Sequence, residues 1–134
     1  MIEKLIHSIR RKVLDSSKSK ARLRELLNTR FRRTQYLISR VFFGRNLDVL
    51  AVVNDTDKNT GHNYTQHYQR LLAPYRRKPV RLLEIGIGGY SNPLYGGGSL
   101  RMWRTYFPRG RIFGIDIHDK RPHDEARIRT FRGS

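Results

Sequence analysis

The chain has 134 residues, of which 28 are Lys or Arg and 11 are Asp or Glu, giving a formal net charge of +17. This length supports one domain with a real core but is short for a complete doubly wound enzyme, so we expect part of a larger fold. The absence of cysteine excludes disulfides and thiolate metal sites, while the charge suits a nucleic-acid partner or simply reflects an arginine-rich composition.

Residues 1–46 are predicted to form a basic helical extension, distinct from a domain over residues 47–134. Apolar side chains recur there at helical spacing in two stripes, interrupted at residues 15–19 and closed by Gly44, which predicts a helical hairpin. The stripes are Ile2, Leu5, Ile6, Ile9 and Val13, then Leu23, Leu26, Leu27, Phe31, Leu37, Ile38, Val41 and Phe42. The first helix could pack against its own domain or a sister subunit, lie on an anionic membrane or dock on RNA, and packing is the default.

The chain contains no stretch that approaches the roughly 18 apolar residues needed to span a bilayer, and its start lacks the apolar segment of a secretory signal. We therefore expect no transmembrane segment and a cytoplasmic location. The sequence leaves the oligomeric state open, and a homo-oligomer is compatible with it.

A polar segment, residues 54–64, is dense in turn-forming and hydrogen-bonding side chains. It leads into a predicted helix that ends before the first predicted strand. We expect this segment to lie over the glycine-rich turn that follows that strand. The alternative is a plain helix N-cap formed by Asn63 or Thr60, and His62 and His67 are equally well explained as surface or packing histidines.

Two short apolar runs, residues 81–85 and 111–116, are predicted to be parallel strands of a buried sheet. The first ends at a glycine cluster and the second at Asp116, an arrangement by which an α/β sheet delivers loops to a ligand crevice. The glycines would let the backbone approach a ligand, and Asp116 would accept hydrogen bonds from the ribose hydroxyls of an adenosine group. The alternative is a tight turn and an ordinary strand-terminal aspartate. The glycines are Gly86, Gly88 and Gly89.

The loop at residues 91–98 delays the helix that would ordinarily follow the glycine turn at once. Dinucleotide folds place a helix N-terminus directly at the pyrophosphate, so the delay favours an adenosine ligand without phosphates over NAD. Ser99 is the predicted N-cap of the delayed helix, and Trp103 is predicted to be a core residue on its inward face. A third strand is predicted over residues 127–131.

Several short motifs occur together in residues 47–134: Thr56-Asp57-Lys58, His62 and Tyr64, Leu83-Glu84-Ile85-Gly86-Ile87-Gly88-Gly89-Tyr90, Gly97-Gly98-Ser99-Leu100-Arg101-Met102-Trp103, Tyr106-Phe107-Pro108 and Gly114-Ile115-Asp116-Ile117. In combination they resemble the class I S-adenosylmethionine-dependent methyltransferases. Within that superfamily the chain is most similar to the macrolide sugar O-methyltransferases of the macrocin and mycinamicin type. The resemblance implies an α/β, Rossmann-like fold with an incomplete parallel sheet, preceded by the basic extension and truncated after the third strand.

The resemblance also implies that this part of the chain binds S-adenosylmethionine. Thr56 would reach the cofactor from the polar segment, and Asp116 would hold its ribose. Glu84 would orient the loop or meet the methionine ammonium, and Gly88 would let the backbone pass. The implied cofactor-binding residues are Thr56, Glu84, Gly86, Gly88, Ser91 and Asp116.

The implied activity is O-methylation of a sugar or glycosylated natural product, by this chain or by an enzyme of which it is a fragment. In the macrolide enzymes a histidine base and the acidic ligands of a magnesium ion follow the third strand, so their equivalents would lie beyond Ser134, and no catalytic residue is assigned. His118 and His123 are expected in a solvated loop. No metal site is predicted nearby, because basic neighbours are expected to neutralise the carboxylates: Asp119, Asp124 and Glu125 beside Lys120, Arg121 and Arg127.

Two other classes of function stay open. A basic nucleic-acid-binding protein, including an RNA methyltransferase, predicts that the extension confers an affinity that falls steeply with salt. A non-catalytic interaction module predicts partner or membrane binding through the first helix and no affinity for S-adenosylmethionine. Replacing Arg10, Arg11 and Lys12 with alanine separates the two, because only the first would lose nucleic-acid retention.

Overall fold

The structure, a computed structural model, describes residues 30–59 and 64–133. The chain divides into two compact units between Leu37 and Ile38. In the first unit residues 30–37 are helical, and Thr34 Oγ1 donates to the carbonyl of Arg30 at 3.1 Å. The predicted first helix lies outside the described residues, and the domain boundary between residues 46 and 47 stays a prediction.

The described part of the second unit contains three short α-helices: α1 (Leu47–Val53), α2 (Tyr64–Leu72) and α3 (Gly98–Tyr106). The sequence predicted α2 and α3, but α1 was missed. Its signal was present, because Asn46 caps the helix by accepting from the Val49 N–H at 3.1 Å, and Leu47, Leu50 and Ala51 recur at helical spacing and are fully buried. Shorter helical turns are the π-helix Ser39–Phe43 and the 3₁₀ turns Asp57–Asn59, Ala73–Tyr75 and Arg121–His123.

Three strands form a parallel sheet in the order β1 (Arg81–Ile85), β2 (Arg111–Asp116) and β3 (Ile128–Arg132). Leu83 lies opposite Phe113, and Phe113 lies opposite Arg129. The predicted parallel strands are therefore confirmed. Because the strands run the same way, the carboxyl ends of β1 and β2 meet at one edge of the sheet.

Helix α3 packs on one face of this sheet and contributes much of the core. A Cβ built at Gly114 in β2 would lie 3.1 Å from Leu100 Cδ1 and 2.8 Å from Ile87 Cδ1, so α3 and the glycine loop both press directly on the strand. Trp103 is 4% exposed, which confirms its prediction as a core residue. The buried apolar residues are Leu47, Leu50, Ala51, Ile87, Leu100, Met102, Trp103, Tyr106, Phe107, Ile112 and Ile128.

The opposite face of the sheet is uncovered in the part of the chain that the structure describes. Ile85 is 82% exposed, and Leu83 and Phe131 are exposed beside it. Ile85, Ile115 and Phe131 occupy one row across the three strands, which makes the exposed face apolar. Parallel sheets usually bury both faces, and within the described ranges only the α3 side is buried in this way.

Candidate functional site

The glycine loop and Asp116 are joined by hydrogen bonds at the carboxyl edge of the sheet. The N–H of Gly86 donates to the carbonyl of Ile115 at 2.8 Å, which continues the strand pairing by one residue. The next N–H, that of Ile87, donates to Asp116 Oδ2 at 2.8 Å, and the N–H of His118 donates to Asp116 Oδ1 at 2.9 Å. Each carboxylate oxygen therefore fixes one turn, so the two loops that border the crevice are held at a set distance from each other.

The environment of Asp116 keeps its carboxyl group ionised. Partial burial by itself would raise its pKa, but the backbone N–H groups of His118 and Ile87 and the positive charge of Lys120 outweigh burial and lower the pKa below its ordinary value. Hydrogen bonds to the charged form favour that form. Asp116 is thus an anion at neutral pH, and each oxygen keeps a further lone pair that can accept from a ligand hydroxyl.

The glycines of the loop fall into two kinds. Gly86 and Gly88 have φ of +84° and +81°, and a Cβ built on them would meet nothing within 4 Å at Gly86 and only the Cα of Gly96, at 4.0 Å, at Gly88. At Gly89 a Cβ would instead lie 2.2 Å from the backbone carbon of Tyr95. Gly89 is therefore required for packing within the loop, whereas Gly86 and Gly88 leave open space at the crevice where a ligand could contact the backbone.

Glu84 joins three parts of the site instead of facing the crevice alone. Its Oε1 accepts from Ser99 Oγ at 2.6 Å and pairs with Lys58 Nζ at 3.1 Å, and its Oε2 accepts from Trp103 Nε1 at 3.1 Å. The carboxylate thus ties β1 to α3 and to the polar segment. The predicted N-cap role of Ser99 was wrong: the N-cap residue is Gly97, with φ of +71° and no side-chain cap, because the Ser99 hydroxyl is directed to Glu84.

Residues 54–59 of the polar segment pack against the start of α3, and Lys58 pairs with Glu84 of β1, while a place over the glycine turn stays a prediction. A Cβ built at Gly98 would lie 2.4 Å from the carbonyl oxygen of Asn54 and 2.8 Å from that of Asp55, so this segment packs against the N-terminus of α3. Thr56 lies in it, partly buried. The alternative caps at residues 60 and 63, and the histidine at 62, lie outside the described residues.

The connection between β2 and β3 holds the loop that follows the glycines. Lys120 is 1% exposed, and its ammonium donates to the carbonyls of Asn92 at 2.8 Å and Tyr95 at 3.1 Å. His123 is 2% exposed, with Nε2 3.1 Å from the same Tyr95 oxygen. The expectation that His123 lies in a solvated loop was therefore wrong. Ser91 is exposed in the held loop, and no contact found among the described residues joins its side chain to Asp116 or Glu84.

Replacing Lys120 with methionine is expected to release this loop. Methionine can fill the buried channel of the lysine stem but cannot donate to the two carbonyls, so the Asn92 and Tyr95 amides should exchange with solvent faster, and stability should fall by about 1 to 2 kcal/mol. Hydrogen exchange at residues 90–97 measures the effect. The matched control is Arg121→Met, which removes an exposed charge beside it, and equal exchange in the two variants would contradict the proposed restraint.

The acidic residues of the β2–β3 connection have separate partners. Asp119 pairs with Arg121 at 2.6 Å, which lowers the Asp119 pKa to about 2. Glu125 pairs with Arg104, and Asp124 Oδ1 accepts from the Thr130 hydroxyl at 2.7 Å. Of the expected neutralising residues, Lys120 donates to carbonyl oxygens instead, and Arg127 donates to the carbonyls of Phe107 and Gly110 at 2.8 Å each. Within residues 30–59 and 64–133 no group of three or more His, Asp or Glu could hold a metal ion.

The chain is similar to known proteins over part of its length. No family model matches it. It is 58% identical over 72 residues to the mycinamicin VI 2''-O-methyltransferase of Micromonospora griseorubida and 56% identical over 72 residues to the demethylmacrocin O-methyltransferase of Streptomyces fradiae. The chain is a homologue of the macrolide sugar O-methyltransferases. Each of these two matches covers 54% of this chain and 18% of the relative, so the chain spans about a fifth of the length of the curated relatives it matches.

Two further comparisons agree with this homology. A tetracenomycin rhamnosyl 3'-O-methyltransferase of Streptomyces olivaceus is 54% identical over 86 residues, covering 63% of this chain and 22% of that protein. A solved structure of MycE, a methyltransferase from the mycinamycin biosynthetic pathway in complex with Mg and SAH (S-adenosylhomocysteine), superposes with a TM-score of 0.64 at 52% identity, covering 66% of this chain and 23% of MycE. The described fold is thus part of a Rossmann-like methyltransferase fold, as predicted. No helix in the described ranges is both long enough and apolar enough to cross a bilayer.

Proposed function

We propose that this chain carries the S-adenosylmethionine-binding part of an O-methyltransferase that acts on a sugar of a glycosylated natural product. The observation that carries the proposal is the hydrogen bond from the N–H of Ile87 in the glycine loop to the Asp116 carboxylate. Open space lies beside this contact at Gly86 and Gly88. The named activities of the homologous enzymes, and the SAH bound in MycE, support the cofactor and the acceptor class.

The described residues suit this cofactor because they combine a fixed anion with unobstructed backbone. Asp116 would accept from the two ribose hydroxyls, and Gly86 and Gly88 would let the ligand lie against the main chain. When bound, S-adenosylmethionine supplies a methyl group that its sulfonium makes electrophilic. Thr56 and Ser91 would contact the cofactor from the polar segment and the following loop. Glu84 would act by holding Lys58 and α3 in place, since its carboxylate already accepts from three side chains.

The acceptor side of the reaction is not assigned to any described residue. A magnesium ion is present in MycE, but the described residues offer no cluster of ligands suited to it, so no step is derived through a metal. No catalytic base is assigned among residues 30–59 and 64–133, and the buried His123 lies with Nε2 3.1 Å from the loop carbonyl of Tyr95. A cytoplasmic location and homo-oligomerisation stay predictions. The nucleic-acid-binding role also stays a prediction, and the names of the relatives given above mention no nucleic acid.

A calorimetric titration with S-adenosylhomocysteine tests the proposal when two glycine variants are compared. Gly88→Ala places a methyl group in the open crevice at a φ of +81° and should weaken binding by at least about tenfold at a modest cost of about 1 kcal/mol in stability. Gly89→Ala is the matched control, because its methyl group would meet the Tyr95 backbone and lower the melting temperature first. Unchanged affinity in a folded Gly88→Ala variant would move the cofactor away from this crevice, and no binding by a folded wild-type chain would overturn a self-sufficient cofactor site.

A further inference from the structure

A second concave site lies at the other end of α3 from the glycine loop. Its volume is about 350 Å³, and its lining includes Arg45, Gln69, Pro74, Arg76, Arg77 and Tyr106. Tyr106 is the last residue of α3, whereas the glycine loop leads into the first turn of this helix. The two sites are therefore separate. Cavities of this size fall within the range that accepts small ligands.

The walls of this cleft are held in place by hydrogen bonds between distant parts of the chain. Gln69 in α2 donates through Nε2 to the carbonyl of Arg45 at 2.6 Å and accepts through Oε1 from the N–H of Leu47 at 3.0 Å. Arg76 Nε donates to the carbonyl of Gly44 at 2.9 Å. These bonds fix the segment that carries Arg45 against the end of α2, so the cleft is formed before any ligand arrives.

The cleft is strongly positive and has no internal counter-charge. Three arginines line it, Arg45, Arg76 and Arg77, and no acidic residue does. None of the three takes part in an ion pair found among the described residues. Burial, followed by the charges of Arg45, Arg77 and the nearby Arg40, lowers the pKa of Arg76. An anion in the cleft would relieve this repulsion.

Tyr106 lines the same cleft and carries a buried hydroxyl group without a partner among the described residues. The residue is 0% exposed, and its hydroxyl has no partner in the described structure. The Tyr106 ring makes an edge contact with the Phe107 ring, with 4.9 Å between the two ring centroids. The Arg76 guanidinium lies over the Tyr106 ring, 5.9 Å from the ring centroid. Buried hydroxyl groups are nearly always paired in native structures, so this one requires a partner that the described residues do not supply.

We propose that this cleft binds the phosphate group of a small phosphorylated ligand. The arginines supply charge and forked donors that match phosphate oxygens, and the unpartnered Tyr106 hydroxyl would supply a neutral donor. The cleft is larger than one phosphate needs, which leaves room for the organic part of a phosphate ester. This site is additional to the proposed methyltransferase function and does not depend on it.

The test is a calorimetric titration of the full chain with inorganic phosphate and, in parallel, with glucose 6-phosphate, at an ionic strength held constant with chloride. Tyr106→Phe removes one hydroxyl and no charge, and Arg77→Gln removes one charge. Each is expected to weaken phosphate binding by at least about fivefold. The control Arg129→Gln removes an exposed charge on β3 and should leave the affinity within about twofold. Tighter binding of the ester than of free phosphate would identify the ester as the ligand class.

Three outcomes would overturn the proposal. One is the absence of saturable phosphate binding by the folded wild-type chain at up to about 10 mM. Another is an equal loss in Arg77→Gln and Arg129→Gln, which would indicate diffuse attraction to a basic protein. The third is unchanged phosphate affinity in Tyr106→Phe together with a lower melting temperature, which would mean that the hydroxyl binds a structural water. Binding of S-adenosylhomocysteine should be unaffected by either cleft variant, so failure here is distinguishable from failure of the methyltransferase proposal.

Discussion

Glu84→Ala is expected to lower the free energy of unfolding by about 3 kcal/mol, measured by urea denaturation followed by circular dichroism. The Glu84 side chain is 12% exposed and accepts from Ser99, Trp103 and Lys58, whose own side chain is 21% exposed. Alanine would leave a buried hydroxyl, an indole N–H and an ammonium group without their acceptor. Because these donors belong to α3 and to the polar segment, both should loosen from β1 together.

A double-mutant cycle with Lys58 separates the ion pair from the two neutral hydrogen bonds. Lys58→Met should lower the free energy of unfolding by only about 1 kcal/mol. Glu84 keeps its hydrogen bonds from Ser99 and Trp103, and the Lys58 side chain is already partly hydrated in the wild type. In the Glu84→Ala background the same lysine substitution should cost almost nothing. Equal effects of Lys58→Met in both backgrounds would show that the ion pair contributes no coupling. An unchanged urea midpoint in Glu84→Ala would contradict the wider role of the carboxylate.

The strands, and the edge at which the glycine loop meets Asp116, could be predicted from sequence because their signals are local. A short apolar run that stops at glycine or aspartate shows both the strand and its end, and parallel pairing then brings the glycine loop and Asp116 to the same edge. Helix α1 was harder, since it has only seven residues and begins at Leu47, shortly after Gly44 ends the longer helical pattern. Its N-cap, Asn46, was the usable signal.

The errors arose where a partner distant in sequence determines the local structure. Serine is a preferred N-cap residue, but the Ser99 hydroxyl donates to Glu84, which lies 15 positions earlier in the chain. Lys120 and His123 lie in a polar stretch that reads as solvated, yet both are buried because they bind carbonyls of the loop at residues 92–95, 25 to 28 positions earlier. Such contacts override local propensity, and no pattern within the stretch itself reports them.

Asp116→Asn is expected to weaken binding of S-adenosylhomocysteine more than any other substitution at the site, by about a hundredfold. The asparagine oxygen can still accept one of the two backbone N–H bonds, but its amide nitrogen would face the N–H of Ile87 or His118 as a second donor. The variant should therefore lose one of the two backbone hydrogen bonds that restrain the loops. It should also offer the ribose hydroxyls one acceptor fewer. Calorimetry measures the affinity, and Asp119→Asn, which alters an exposed ion pair in the same connection, is the control.

The pH dependence of stability distinguishes loss of the Asp116 charge from general damage to the fold. Because the folded-state pKa of Asp116 lies below its ordinary value of 3.8, the charge stabilises the fold at pH values above 3.8, and that contribution is lost as the pH falls through the lowered pKa. The stability difference between wild type and Asp116→Asn should then be largest near neutral pH and shrink in acid, since protonation gives the wild type a neutral side chain as well. The difference between the two proteins is the appropriate readout, because Asp119, with a pKa of about 2, titrates in both. A difference that persists unchanged below the lowered pKa would show that the asparagine acts by its shape and not by its missing charge.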